Sequence, residues 1–300
     1  MKKYKEHWPL YLMMLPGLLY LLINNYIPMA GIVIAFKKLN FAEGIFASPW
    51  VGLDNFKFLF GTKDAWIITR NTLLYNVAFI IVNMVVGIAI AVLICEIRNT
   101  KLKKLYQSAI LLPFLMSMVI LSYIVYALLS SENGLVNNAI FRVLNLEPIQ
   151  WYQEPKYWPF ILVFANCWKG VGYGCLIYIA SLVGIDPSFY EAARLDGASK
   201  WQEIYKITLP CLVPTIITLL LLSVGRIFYS DFGLFYQVPM NSGVLFPVTN
   251  TIDTYVYRGL IGGKISMSSA AGVYQSLVGF VVVMLSNWIV RRADKDQALF

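Results

Sequence analysis

The chain has 300 residues, of which 59% are hydrophobic and only 13% charged, with a mean hydropathy of +0.66. A soluble domain carries about 25% charged residues, so composition excludes an ordinary water-soluble fold. The formal charge of +8 does not indicate nucleic-acid binding, because the basic residues are scattered between apolar runs instead of forming one face or arm.

A hydrocarbon core about 30 Å thick needs about 20 apolar residues of helix. Six stretches meet that requirement, and an all-α membrane protein with six spans is expected. The first runs from Leu10 to Ala35. Its basic start, Lys2, Lys3 and Lys5, resembles a signal peptide, but Asn24, Asn25 and Pro28 interrupt the run and no small-residue cleavage site follows. It reads as a retained span, with His7 a solvated residue beside it. The others are expected at Trp66–Cys95, Tyr106–Leu129, Tyr157–Val183, Leu209–Phe235 and Ser269–Val290. Pro16, Pro28, Pro113 and Pro214 should kink or break these helices, which bundles tolerate when neighbours re-satisfy the freed carbonyls. Gly259, Gly262, Ser268, Ala270, Ala271 and Gly272 would permit close helix contact near the last span. Cys95, Cys167, Cys175 and Cys211 lie in or beside apolar runs without C-x-x-C spacing, so they read as filler, with neither disulfide nor metal implied.

An even number of spans puts both termini on one side. Over half of the 24 Lys and Arg residues fall in four short segments: Lys2, Lys3, Lys5; Arg98, Lys101, Lys103, Lys104; Arg194, Lys200, Lys206; and Arg291, Arg292, Lys295. The positive-inside rule places those segments, and both termini, in the cytoplasm. Trp50, Phe56, Phe58, Trp151, Tyr152 and Tyr255 then lie in the external connections, where aromatic side chains suit the lipid headgroup belt. With no linker or low-complexity stretch, residues 1–300 read as a single domain.

Between the fourth and fifth spans lies a polar segment, 186–208, too long for a simple turn. Asp186 can cap a helix with Pro187 at its first position, and Gly197 after Asp196 supplies a permissive turn. Ser199 with Gln202 makes an S-x-x-Q capping box for a second helix. The expected product is a helix, a glycine turn and a helix on the cytoplasmic face. Glu191-Ala192-Ala193, Gly197 and Ile207-x-Leu209-Pro210 have the spacing of the EAA loop, so the chain resembles the binding-protein-dependent ABC importer permeases. The resemblance implies the type I importer permease fold, with this loop as the coupling element that docks on an ATP-hydrolysing subunit. In that role Phe189 and Tyr190 offer apolar anchors, Ala192 and Ala193 allow close approach, Glu191 and Asp196 supply acceptors, and Gly197 sets the bend. No G-x-x-x-x-G-K-[ST] loop occurs in the sequence, so ATP and Mg would be held by partner subunits, with no cofactor in this chain.

Asn25-Tyr-Ile-Pro-Met29, Ser48-Pro-Trp-Val-Gly-Leu-Asp-Asn-Phe56 and Asn287-Trp-Ile resemble the carbohydrate-uptake branch, particularly permeases for complex oligosaccharides. That branch implies a pair of related permeases, two ATP-binding subunits and an extracytoplasmic solute-binding protein that delivers the sugar. The fourth span reads Asn166-Cys-Trp-Lys-Gly-Val-Gly-Tyr173, at the offset of the sugar-contacting stretch of maltose-transporter permeases. Asn166, Trp168, Gly170 and Tyr173 match that stretch, whereas Lys169 replaces an apolar residue. In the fifth span Arg226 and Ile227 do not match.

Charges inside a span cost roughly 2.5–3.5 kcal/mol or more and face a partner or a wet cavity, which singles out Lys169, Arg226 and Asp231. Three explanations stand side by side: snorkelling near an external end, a structural pairing of Lys169 or Arg226 with Asp231, and a pathway in which both cations, with Tyr173 and Tyr229, receive an anionic sugar. An importer of a non-sugar solute remains an alternative. An intramembrane enzyme or channel lacks the H-E-x-x-H, Gly-x-Ser-x-Gly or filter-like segment it would need.

Overall fold

A computed structural model describes residues 7–293; Lys2, Lys3, Lys5 and Lys295 lie outside the described residues. The regular structure among the described residues is helical, apart from a lone bridge between Lys37 and Trp50. Five helices are long and apolar enough to cross a bilayer, and a sixth span results if one bent pair is counted. We number the principal helices α1 Trp8–Leu21, α2 Lys63–Glu96, α3 Thr100–Leu115, α4 Met118–Leu129, α5 Trp158–Val183, α6 Pro187–Leu195, α7 Lys200–Glu203, α8 Leu209–Val224, α9 Phe232–Gln237, α10 Ile252–Ile261 and α11 Ile265–Ala293.

Spatially the residues form two compact units. One takes the described residues up to Ala65 together with Val256–Tyr274; the other takes Trp66–Tyr255 together with the described residues from Gln275. In the first unit α1 continues through a π-turn, Leu22–Tyr26, into Ile27–Met29 and a 3-10 stretch, Ala30–Phe36. The π-turn ends two residues before Pro28, which has no N–H to give and whose ring would clash with the carbonyl four residues back. Widening the ladder by one residue removes that clash. Every side chain of α1 is exposed, the ordinary condition of an apolar helix in lipid. The Ser48–Phe56 motif folds locally. Buried Lys37 donates to the Phe46 and Ile45 carbonyls at 2.6 and 3.2 Å, and Asn55 donates to the carbonyls of Ala35 and Lys37.

In the second unit α2 and α5 are continuous, but the expected third span is not. It breaks into α3 and α4 with a 95° bend. Pro113 removes a rung of the ladder near the end of α3, Met116 is extended, and Ser117 caps α4 by accepting from the Ile120 N–H. The fifth span also departs from expectation: α8 ends at Val224, turns follow, and α9 begins after Asp231. Two apolar cores hold the bundle. Tyr75, Phe79, Trp158, Leu162, Leu234 and Phe235 build one, with Tyr75 edge-on to Phe235 at 4.8 Å; Ala91, Ile94, Cys175, Tyr178, Ile179 and Leu212 build the other. At Gly172 any side chain would overlap the backbone of Ile110, so glycine is what lets α3 and α5 approach this closely.

Candidate functional site: a polar cavity and a polar arm

A cavity of about 520 Å³ lies between the two cores, lined by Phe79 of one and Tyr178 of the other. Its polar lining comes from three helices and a turn: Asn76 and Asn83 of α2, Asn166 and Tyr173 of α5, Ser223 of α8, and Arg226, Tyr229, Ser230 and Asp231 of the segment that follows. Asn83 donates to the Asn166 side-chain oxygen at 2.8 Å, while its own oxygen is buried without a partner. The Arg226 guanidinium makes no ion pair or hydrogen bond among the described residues and is exposed toward the cavity. Asp231 is not its counter-ion. The carboxylate accepts from the Leu234 N–H at 3.1 Å and caps α9.

The 225–231 turn that carries these groups is held by Asp253. One carboxylate oxygen accepts from the Ser230 N–H and hydroxyl, both at 2.7 Å, and from Gln275 at 3.1 Å; Gln275 also donates to the Phe228 carbonyl at 2.7 Å. Three donors on one oxygen fix the turn, and with it the directions of Arg226 and Tyr229.

Sequence reasoning brought Asn166, Tyr173, Arg226, Tyr229 and Asp231 to this cavity and missed Asn76, Asn83 and Asp253. The two asparagines stand seven residues apart in the apolar stretch 73–95 of α2, the spacing of a single face, and that signal was readable. Trp168, Lys169 and Gly170 do not line the cavity. Trp168 belongs to a separate apolar groove with Phe160, Phe164 and Leu121, and Gly170 has open space around it.

Lys169 neither pairs with Asp231 nor faces the cavity. Its ammonium donates to the Phe114 and Met116 carbonyls at 2.9 and 2.8 Å and lies 5.5 Å from the centre of the Phe114 ring. Those carbonyls end the broken helix, where no intrahelical N–H remains for them and where the dipole favours a cation. Phe114 in turn stacks on Tyr173, centroids 5.0 Å apart and planes at 15°. The lysine therefore closes the break, and its charge is absorbed there.

The 186–208 segment has the expected caps. Asp186 accepts from the Ser188 N–H at 2.9 Å, and this bond holds its carboxyl below the usual range. Gly197 has φ +78°, and Ser199 and Gln202 bond reciprocally. The second helix is not separate, however. α7 passes through a π-turn, Ile204–Thr208, directly into α8, and Pro210 follows that turn as Pro28 follows the one in α1. Tyr190 turns inward and bonds Thr208 at 3.0 Å. Phe189 is 57% and Leu195 89% exposed, so these two are the free apolar surface of α6, and Trp201 and Tyr205 are exposed beyond the glycine turn. Glu191, Ala192 and Asp196 are exposed and Ala193 half-buried. Glu203, which sequence reasoning passed over, is buried against Arg194 and Lys200; its carboxylate holds the Arg194 guanidinium further in the charged form.

A helical bundle with a broken third span, a central polar cavity and a bent polar arm is the architecture of an importer permease. The chain belongs to the family described as "Binding-protein-dependent transport system inner membrane component", which matches residues 65–295. It is therefore a multi-pass membrane transport subunit that works with a solute-binding protein. Protein LplB of Bacillus subtilis is 33% identical over 97% of this chain and 91% of its own length. The polygalacturonan/rhamnogalacturonan transport system permease protein YteP of the same organism is 34% identical over 96% and 89%. A solved bacterial ABC transporter involved in the import of the acidic polysaccharide alginate superposes with a TM-score of 0.89 at 33% identity, covering 98% of both chains. The type I importer permease fold expected from the sequence is the observed one.

Proposed function

We propose that this chain is one of a pair of permeases that import an acidic, uronate-containing oligosaccharide across the cytoplasmic membrane by alternating access. Two ATP-binding subunits, holding ATP and Mg, drive it through the 186–208 arm on the cytoplasmic side, where both termini also lie. An extracytoplasmic binding protein delivers the sugar. One observation carries the substrate assignment: the Arg226 guanidinium stands unpaired on the cavity wall, beside Asn83, Asn166, Tyr173 and Tyr229. A planar guanidinium takes a carboxylate with two parallel bonds, the amides suit sugar hydroxyls, and the exposed aromatic faces suit pyranose rings. The names of the relatives, with polygalacturonan and alginate as cargo, support the same chemistry. Phe189 and Leu195 are the apolar contacts offered to the ATP-binding subunits, and Gly197 sets the angle at which they are presented.

Uptake of a uronate oligomer and a neutral oligosaccharide of equal length into vesicles bearing the whole importer tests this. Arg226→Leu is expected to cut uronate uptake at least tenfold, about 1.4 kcal/mol of transition-state binding, and Arg226→Lys to restore part of it. Equal uptake of both sugars, unaffected by Arg226→Leu, would remove the acidic assignment and leave the neutral reading. Asp231, a carboxylate on the same wall, favours that second reading.

A further inference from the structure

The arm meets the bundle through an ion cluster that its own bend does not require. Asp186, Gly197 and the Ser199–Gln202 box already satisfy the turn locally. Glu203, with 4% of its side chain exposed, additionally receives Arg194 through both carboxylate oxygens, Nε at 2.8 Å and Nη2 at 3.3 Å, and Lys200 at 3.1 Å. Lys200 reaches on to Glu96 at 3.0 Å. Three elements are joined: α6, which presents Phe189; α7, continuous with α8; and the last residue of α2. Both α2 and α8 line the cavity, through Asn76, Asn83 and Ser223. Asn83 lies about 20 Å along the unbroken helix from Glu96, at about 1.5 Å per residue.

Exposed ion pairs hold little, but a carboxylate removed from water and filled by an arginine fork cannot release its partner without leaving a buried charge unpaired. We infer that Glu203 is a positioning residue that locks α6 of the arm to the root of the cavity-lining α8, with the exposed Lys200–Glu96 pair a lesser tie to the end of α2, so that displacement of the arm moves the cavity wall. This rests on the reading of the arm as the contact with the ATP-binding subunits. Glu203 touches neither sugar nor nucleotide, and it acts by making the arm and the helices one lever.

The test uses the complete importer in vesicles and reads sugar imported per ATP hydrolysed, beside cross-linking from Phe189→Cys to the ATP-binding subunit. Glu203→Gln is expected to lower that ratio at least about fivefold, the lower end of a coupling between sites, with the cross-link intact. A lock that matters only for folding would lower assembly and both rates together, leaving the ratio unchanged; that result, or no change at all, overturns the inference. Should Glu203→Gln fail to assemble, Lys200→Met, which removes the tie to Glu96 and one partner of Glu203 but leaves the Arg194 fork in place, is read by the same ratio. Absence of the cross-link when Phe189→Cys is the only change would overturn the arm reading instead.

Discussion

The chain turns sharply in two places, at Gly197 in the arm and at Met116 in the third span, and the two turns are stabilised in opposite ways. At Gly197 the groups that set the turn itself lie within the arm: Asp186, the left-handed glycine and the Ser199–Gln202 box. At Met116 the local part is Pro113 and the Ser117 cap, but the freed carbonyls are satisfied by Lys169, more than fifty residues further along. A bend in water needs only local partners, because solvent satisfies the rest. A bend among apolar helices must import its donors from another helix, since no water is there to supply them.

Removing the imported donor should therefore have the largest effect. Lys169→Met leaves two carbonyls unpaired at roughly 1–3 kcal/mol each, expected as a clear drop in the melting midpoint of the purified chain, with Lys169→Arg recovering most of it. If Lys169→Met instead melts as the parent and loses only uronate uptake, the lysine belongs to the pathway and the contrast between the bends fails. Gly172→Ala comes next. Its methyl overlaps the Ile110 backbone, so α3 and α5 must separate, at a cost of about 1–3 kcal/mol, read from the same melting curve.

At the local bend the effects are smaller. Gly197→Val forces a branched residue into the left-handed region at about 1–2 kcal/mol. Membrane insertion should survive while sugar-stimulated ATP hydrolysis is lost. Ser199→Ala removes one cap, about 1 kcal/mol, seen as faster amide exchange over residues 199–203 with the bundle unchanged. The mildest perturbation is acid. The Ser188 N–H lowers the Asp186 carboxyl in the folded arm, so the cap contributes fully above the unfolded value and is lost as pH falls through the lower, folded one. Protease sensitivity of the arm should stay flat through neutral pH and rise only below the usual carboxylate range.

The cavity shows why parts of the site were legible and parts were not. Arg226 and Asp231 drew notice because charges are rare within apolar runs, and that criterion is blind to what a charge faces. It treated Lys169 and Arg226 alike, although one closes a helix break and the other stands free on a wall. Asn76 and Asn83, uncharged, fell below the same threshold despite their shared face. Glu203 drew no notice, because in a polar loop nothing local reveals that the turn folds Arg194 back onto its carboxylate and buries it.

By itself the sequence determined what depends on neighbours a few residues apart: where helices can span a bilayer, which residues cap the arm, where glycine must turn it, and the family to which the spacing belongs. Only the tertiary structure decided where the third and fifth spans break, which of three charges is free, and which helices the arm grips. These depend on contacts between residues dozens of positions apart. Whether a buried charge is spent on its own fold or left for a ligand is set by the partners that packing brings to it.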